Sequence, residues 1–298
     1  MRHPIHRINV RPRATFRDAT LQQEFAARGY VILPLLSAEH IRILTLLYHS
    51  LASGIATGFY NSMMSQNFEY REKTSNGIEA VIYPLITDLL CDYCPLAGSY
   101  MVKLPGPGSE LAAHQDWNLV DEHQFASINV WAPLTPLTGD NGTLHVIPGS
   151  HLFIDGLRPS MFYPTCLDSH RDALRKHYLQ PIKVPTGYVV IHNSALVHSS
   201  PANQSSAPRV VASLNMIPQE TRPIHYFLEQ DTGAIDYFEV DAGFYRRHII
   251  GQRPRYVAKD TIPHYQAPAL SAQELQRLCK EHNSEHPRSL LKHLLGIR

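Results

Sequence analysis

The chain has 298 residues and a formal net charge of +1, with 44% of it hydrophobic and 18% charged. That balance excludes a disordered chain. It also argues against nucleic acid or an anionic membrane surface as the main partner, because both call for a basic excess. No apolar run approaches the ~18 residues that a bilayer crossing needs, so no membrane span is expected.

Proline at 22 and glycine at 16 imply frequent turns and many short strands. Met1–Arg17 is basic without a continuous apolar stretch, so no secretory leader is expected. Four cysteines are too few for a disulfide framework, and Cys91-x-x-Cys94 lacks the second pair that would close a zinc site. The cytoplasm is the expected compartment. The unusual count is 18 histidines, which directs attention to a metal site.

Thr20 followed by Gln23 gives a capping-box signal, and the helix it starts should stop at Gly29. Tyr30–Leu33 then reads as a short strand. Ser37 is the expected N-cap of a second helix with Ile41, Leu44, Leu47 and Leu51 on one face, which makes 18–52 a helical N-terminal segment. The polar, weakly periodic stretch Phe59–Asn76 reads as a long loop. From Ser99 the period becomes two: Tyr100, Val102 and Leu104 alternate with Met101 and Lys103. Ile128, Val130 and Ala132 alternate in the same way with Asn129 and Trp131, as in half-buried strands. Asp140-Asn141-Gly142 is a turn ahead of a strand at Thr143–Ile147, and Gly187–Ile191 and Arg209–Ile217 are further strands. Ser271 with Glu274 opens a C-terminal helical extension over 271–295. Its Leu290, Leu291, Leu294 and Leu295 can pack on the core or on a second subunit, which leaves monomer and homodimer both open. The expected architecture is an all-β core over 99–218 with flanking helices, in one domain spanning 1–298. A jelly roll fits that pattern.

His114-Gln115-Asp116 lies just after the turn Pro105–Gly108. On an extended strand residues i and i+2 face the same side, so His114 and Asp116 can converge on one ion. Two histidines and one carboxylate make the facial triad of non-haem Fe(II) oxygenases. A second H-x-D, at His170-Arg171-Asp172, reads as helix, where such spacing faces apart. The third ligand must come from farther along the chain. His198 is the best placed, between two strands, with His192 and His145 as rivals.

At this point the sequence resembles a known family. His114-Gln115-Asp116, then Asn141-Gly142-Thr143-Leu144-His145-Val146-Ile147-Pro148-Gly149-Ser150-His151, then His198-Ser199-Ser200 with Arg209, looks like the phytanoyl-CoA dioxygenase family of Fe(II)/2-oxoglutarate-dependent oxygenases. The match covers about 101–217 and is fainter over Phe25–Leu47. It implies a cupin-like double-stranded β-helix with Fe(II) held by His114, Asp116 and His198, and with 2-oxoglutarate and O2 as co-substrates. It maps the co-substrate arginine onto Arg209, whose planar, permanently charged fork suits a carboxylate. Ser200 and Trp131 match family positions around the same co-substrate, with Gln115, Asn129 and Lys103 as weaker candidates. His145 and His151 are assigned to folding.

The implied activity is hydroxylation of an aliphatic C–H. Halogenating relatives carry a small residue where Asp116 stands. The expected substrate is a small, polar metabolite, since no basic cluster suits a CoA phosphate. The alternatives are an acyl-CoA or lipid hydroxylase of the same family, or a non-redox cupin-like metal-binding protein; a pure metal binder has no need of Arg209. On the loop after the metal strand, Asp121 and Glu122 are expected to form an acidic rim that attracts a cationic substrate group, with Asn118 as a further substrate contact.

Overall fold

A computed structural model describes residues 13–51, 58–159, 163 and 165–284. Its elements run α1 (Ala19–Arg28), β1 (Tyr30–Pro34), α2 (Ala38–Ser50), β2 (Phe59–Asn61), α3 (Phe68–Ile86), β3 (Tyr93–Lys103), β4 (Leu111–His114) and β5 (Ile128–Pro133). They continue with β6 (His145–Val146), α4 (Arg171–Ala173), β7 (Gln180–Pro181), β8 (Tyr188–Asn193), β9 (His198–Ser200) and β10 (Arg209–Pro218). Last come β11 (Ile224–Leu228), β12 (Ile235–Glu239), α5 (Phe244–Arg247), β13 (Asp260–Ile262) and α6 (Ala272–Ser284).

Two antiparallel sheets form the core. One has the strand order β1-β8-β5-β10-β3-β2 and the other β4-β9-β6-β7. The larger sheet has two buried faces with different tasks. Tyr100, Val102, Val130, Ala132, Ala212 and Leu214 point outward and pack with Leu44 of α2 and Ile78, Ile82 and Ile86 of α3. Trp131, Val190 and Val211 point inward and meet Val146 of the smaller sheet and Leu144 and Leu196 in the chain entering its strands. This is the double-stranded β-helix, with strand period two dividing helix-facing from lumen-facing residues. α6 closes the back of the smaller sheet, where Leu275 and Cys279 pack with Ile147 and Val197.

Several local readings are corrected. The strand Ile128–Ala132 is buried on both faces rather than half-buried, because helices cover the face that an open sheet would give to water. β3 begins at Tyr93, not Ser99, and only His145–Val146 of the expected strand 143–147 pairs. Asp18 rather than Thr20 caps α1, accepting from the Leu21 amide, and Gly29 ends the helix in the left-handed conformation. Ser37 does cap α2, in a capping box with His40.

The expected loop 59–76 is instead β2 followed by the first half of α3. Its buried face there carries Tyr70, Arg71, Thr74 and Ser75, so helical spacing is present without hydrophobic residues to show it. The described part of the C-terminal extension is α6, and Leu290–Leu295 lie outside the described residues.

The chain beyond 218 forms a third sheet, β11-β12-β13. It packs on the loop that leaves β4: the Ile224 amide donates to Leu119 at 2.9 Å, and Leu119 and Val120 are buried with Phe238, Phe244 and Tyr245.

Candidate metal centre

β4 ends at His114, and Asp116 follows two residues on, its amide donating to the Ser194 carbonyl at 2.8 Å. β9 pairs with β4 so that His198 stands opposite His114. The ligand atoms of His114, Asp116 and His198 lie within 4.8 Å of one another, and no other such group of three gathers among the described residues. Nε2 of each histidine is 3.8 Å from Oδ1 of Asp116. Nδ1 of His114 donates to the Ala112 carbonyl at 2.8 Å, and Nδ1 of His198 donates to Leu196 at 2.9 Å. A carbonyl only accepts, so both rings carry their proton on Nδ1 and leave the Nε2 lone pair free for an ion.

Charge follows the same plan. Burial, then the charge of His198, pushes His114 down to about 4, and burial lowers His198 and His192 as well. Burial alone would raise Asp116, but the fields of His198, His192, His114 and Arg158 outweigh it and hold the carboxyl below its usual range. Two neutral imidazoles and one ionised carboxylate are the donor set of a divalent transition metal. Oδ2 of Asp116 is buried without a hydrogen-bond partner, as a site built for a cation would leave it. The residues fit such an ion.

A second unsatisfied group lies on the inner face of the larger sheet. Arg209 is 2% exposed, and its Nε and Nη1 have no hydrogen-bond partner. Burial pushes its guanidinium down to about 9. A buried cation without an anion is costly, so this position calls for a carboxylate or phosphate. The Trp131 ring lies 5.5 Å from the guanidinium carbon. Ser200, two residues after His198 on β9, is buried on the same side. Asn129 accepts from Ser213 Oγ at 2.7 Å on the same inner face.

Other expected contacts fall elsewhere. Gln115 points away from the lumen and donates to the Ile154 and Ala195 carbonyls at 2.9 and 2.6 Å, tying three segments together. Lys103 is fully buried and gives its three protons to the carbonyls of Ser109, Ser200 and Pro201. Burial and then the Arg209 charge push it down to about 7, against which the three carbonyls hold the proton. It is therefore a brace between the sheets. Lys103→Met leaves three buried carbonyls short of a donor, at ~1–3 kcal/mol each. It is expected to lower the melting temperature by several degrees, as a calorimetric scan would read.

The acidic rim is likewise corrected. Asp121 closes its own turn, accepting from the His123 amide at 3.1 Å and from Gln124 Nε2 at 2.7 Å. Glu122 is paired with Arg158 and accepts from Asn118 Nδ2 at 2.9 Å. Both carboxylates therefore already have partners within the protein. Arg158 was not legible in the sequence, since its partners are backbone and side-chain groups 36 and 42 residues away. His192 is buried with its ring 4.9 Å from that of His198 but stands outside the ligand group, and His170-Arg171-Asp172 lies in a helical stretch.

The fold and this cluster define a cupin-like double-stranded β-helix with a two-histidine, one-carboxylate site. Residues 79–211 match the family model for phytanoyl-CoA dioxygenase. It is 33% identical over 125 residues to phytanoyl-CoA dioxygenase 1 of Oryza sativa subsp. japonica, covering 41% of this chain and 43% of that one. It is 31% identical over 134 residues to phytanoyl-CoA dioxygenase domain-containing protein 1 of Danio rerio, covering 42% and 45%. The matches thus span less than half the length of these relatives. Among solved structures, EctD from S. alaskensis with bound Fe is similar at a TM-score of 0.49 and 20% identity, over 74% of this chain and 84% of that one. No helix among the described residues is long and apolar enough to cross a membrane.

Proposed function

We propose that the protein is a non-haem Fe(II)- and 2-oxoglutarate-dependent oxygenase that hydroxylates an aliphatic C–H of a small molecule, with 1–298 acting as one unit. One observation carries this reading: a His-Asp-His cluster shares a barrel with a buried arginine that lacks its anion. His114, Asp116 and His198 would hold the iron. Arg209, flanked by Trp131 and Ser200, would hold the far carboxylate of 2-oxoglutarate as a bidentate fork. Bound iron with 2-oxoglutarate and O2 supplies an oxidation coupled to decarboxylation of the co-substrate. The chain supplies orientation and an apolar wall of Trp131, Val190 and Leu196. Asp116 occupies the position a halide would need, which favours hydroxylation over halogenation. Four free cysteines support a reducing compartment such as the cytoplasm.

The reading is tested by anaerobic addition of Fe(II) and 2-oxoglutarate to the metal-free protein. A weak visible charge-transfer band is expected, and its absence would overturn the assignment.

The substrate side is open to a further reading. A partly open cavity of about 180 Å³ is lined by Tyr163, Leu228, Ile235 and Tyr265, with Glu229 and Gln230 as its polar residues. Tyr163 donates to the carbonyl of Gln115, between His114 and Asp116, at 3.3 Å. Most of its lining is aliphatic or aromatic, so it suits a ring or branched chain. With the acidic rim paired off, an uncharged apolar group is the better-supported part of the substrate. In a screen for substrate-stimulated succinate release, active compounds are expected to carry such a group. Leu228→Trp is expected to remove their stimulation; equal stimulation in that variant would exclude the cavity.

A further inference from the structure

The Asp116 carboxylate is oriented by its main chain. A metal-binding carboxylate is ordinarily held by hydrogen bonds from the residues behind it. Here Oδ2 is buried with no such partner, while Oδ1 faces both histidine Nε2 atoms at 3.8 Å. What is held instead is the Asp116 backbone, on both sides of the residue. Its N–H donates to Ser194 at 2.8 Å, and its C=O accepts from Nε of Arg158 at 2.5 Å.

Arg158 is in turn held from several directions. Its side chain is 2% exposed, Nη2 pairs with Glu122, and Nη1 donates to Gly156 at 3.3 Å. Its own amide donates to Asn118 Oδ1 at 2.7 Å, and Asn118 Nδ2 donates to the other oxygen of Glu122 at 2.9 Å. One planar fork therefore spans the Asp116 carbonyl and the Glu122 carboxylate, a geometry that an ammonium does not reproduce. The charges are matched as well. An uncancelled guanidinium beside Asp116 would oppose a divalent cation, and Glu122 cancels it.

We propose that Arg158 is a positioning residue that sets the Asp116 carboxylate as a metal ligand, with Glu122 as its counter-charge. This rests on Asp116 being a ligand, as argued above. It assigns Glu122 a task in place of the substrate contact expected from the sequence.

Co(II) is the probe, added to the full-length metal-free protein and followed by its visible d–d bands and by equilibrium titration. Arg158→Lys keeps the charge and loses the fork. It is expected to weaken Co(II) binding 10- to 100-fold, the usual cost of losing a group that orients a ligand, and to shift the bands. Glu122→Gln keeps the fork and uncovers its charge. It is expected to weaken Co(II) about tenfold, with a larger loss at low ionic strength. Melting of the metal-free variants reads loop stability separately. Arg158 acting only as a brace would lower that melting while leaving affinity and bands at their wild-type values in the folded protein, and that result overturns the proposal. Should Arg158→Lys not fold, Glu122→Gln decides by the same criterion. Asp116→Ala is the control: retained Co(II) binding there would overturn the metal-site reading itself, whereas its loss with unaffected Arg158 and Glu122 variants would sink only this proposal.

Discussion

Alanine at His114, Asp116 or His198 is expected to abolish iron-dependent succinate formation while the fold survives. Among the described residues these side chains are the whole donor set, so each removal leaves two protein ligands where a facial triad has three. The stability side of the same experiment is more discriminating. Asp116 presents a buried Oδ2 with no partner, a group whose desolvation costs ~1–3 kcal/mol. The charges around it offset that cost and favour its ionised form, so metal-free Asp116→Ala is expected to melt close to the metal-free wild type. His198 differs: its side chain is 8% exposed against 30% for His114, so His198→Ala opens a cavity and should melt lower than His114→Ala. Near-wild-type succinate from any of the three removes that residue from the site.

The parts of this site that the sequence disclosed are those governed by strand period. His114 and Asp116 are two apart on extended chain, whereas Arg209 came from the family resemblance, and the structure places it on the inner face with Val211 and Ser213. The two-residue spacing is local, so it can be read without knowing what the strand faces. The parts that stayed hidden depend on partners far away in the chain. Lys103 was one of the weaker co-substrate candidates, yet its protons go to carbonyls 6, 97 and 98 residues distant. Asp121 and Glu122 looked like a free acidic pair because Arg158, which neutralises Glu122, lies 36 residues on. Helix α3 was missed for a different reason. Its N-terminal half buries polar residues, and Arg71 donates to the Ser65 and Arg247 carbonyls, so hydrophobic periodicity carries no trace of its inner face.

Arg209→Lys is expected to lower 2-oxoglutarate affinity tenfold or more with metal binding spared. The guanidinium opens β10 opposite Lys103 on β3, is 2% exposed, and lies near the Trp131 ring. Lysine keeps the charge but offers a single point in place of two parallel donors, and lost hydrogen bonds between charged groups cost roughly 1.5–3 kcal/mol. Its shorter reach also sets a second ammonium beside Lys103, whose protons already belong to backbone carbonyls. Arg209→Leu separates binding from stability. It removes a buried cation with two unpartnered nitrogens, so the ligand-free protein is expected to melt at or above the wild-type temperature. In the wild type, 2-oxoglutarate at a hundred times its Kd should add about 2.7 kcal/mol of stability, because it binds the folded state alone. Arg209→Leu should show none of that gain. Melting curves with and without 2-oxoglutarate, beside an anaerobic Fe(II) titration, read both effects in one preparation. An undiminished 2-oxoglutarate shift in Arg209→Leu would mean that another group clamps the co-substrate, and the orphaned guanidinium would then need a different anion.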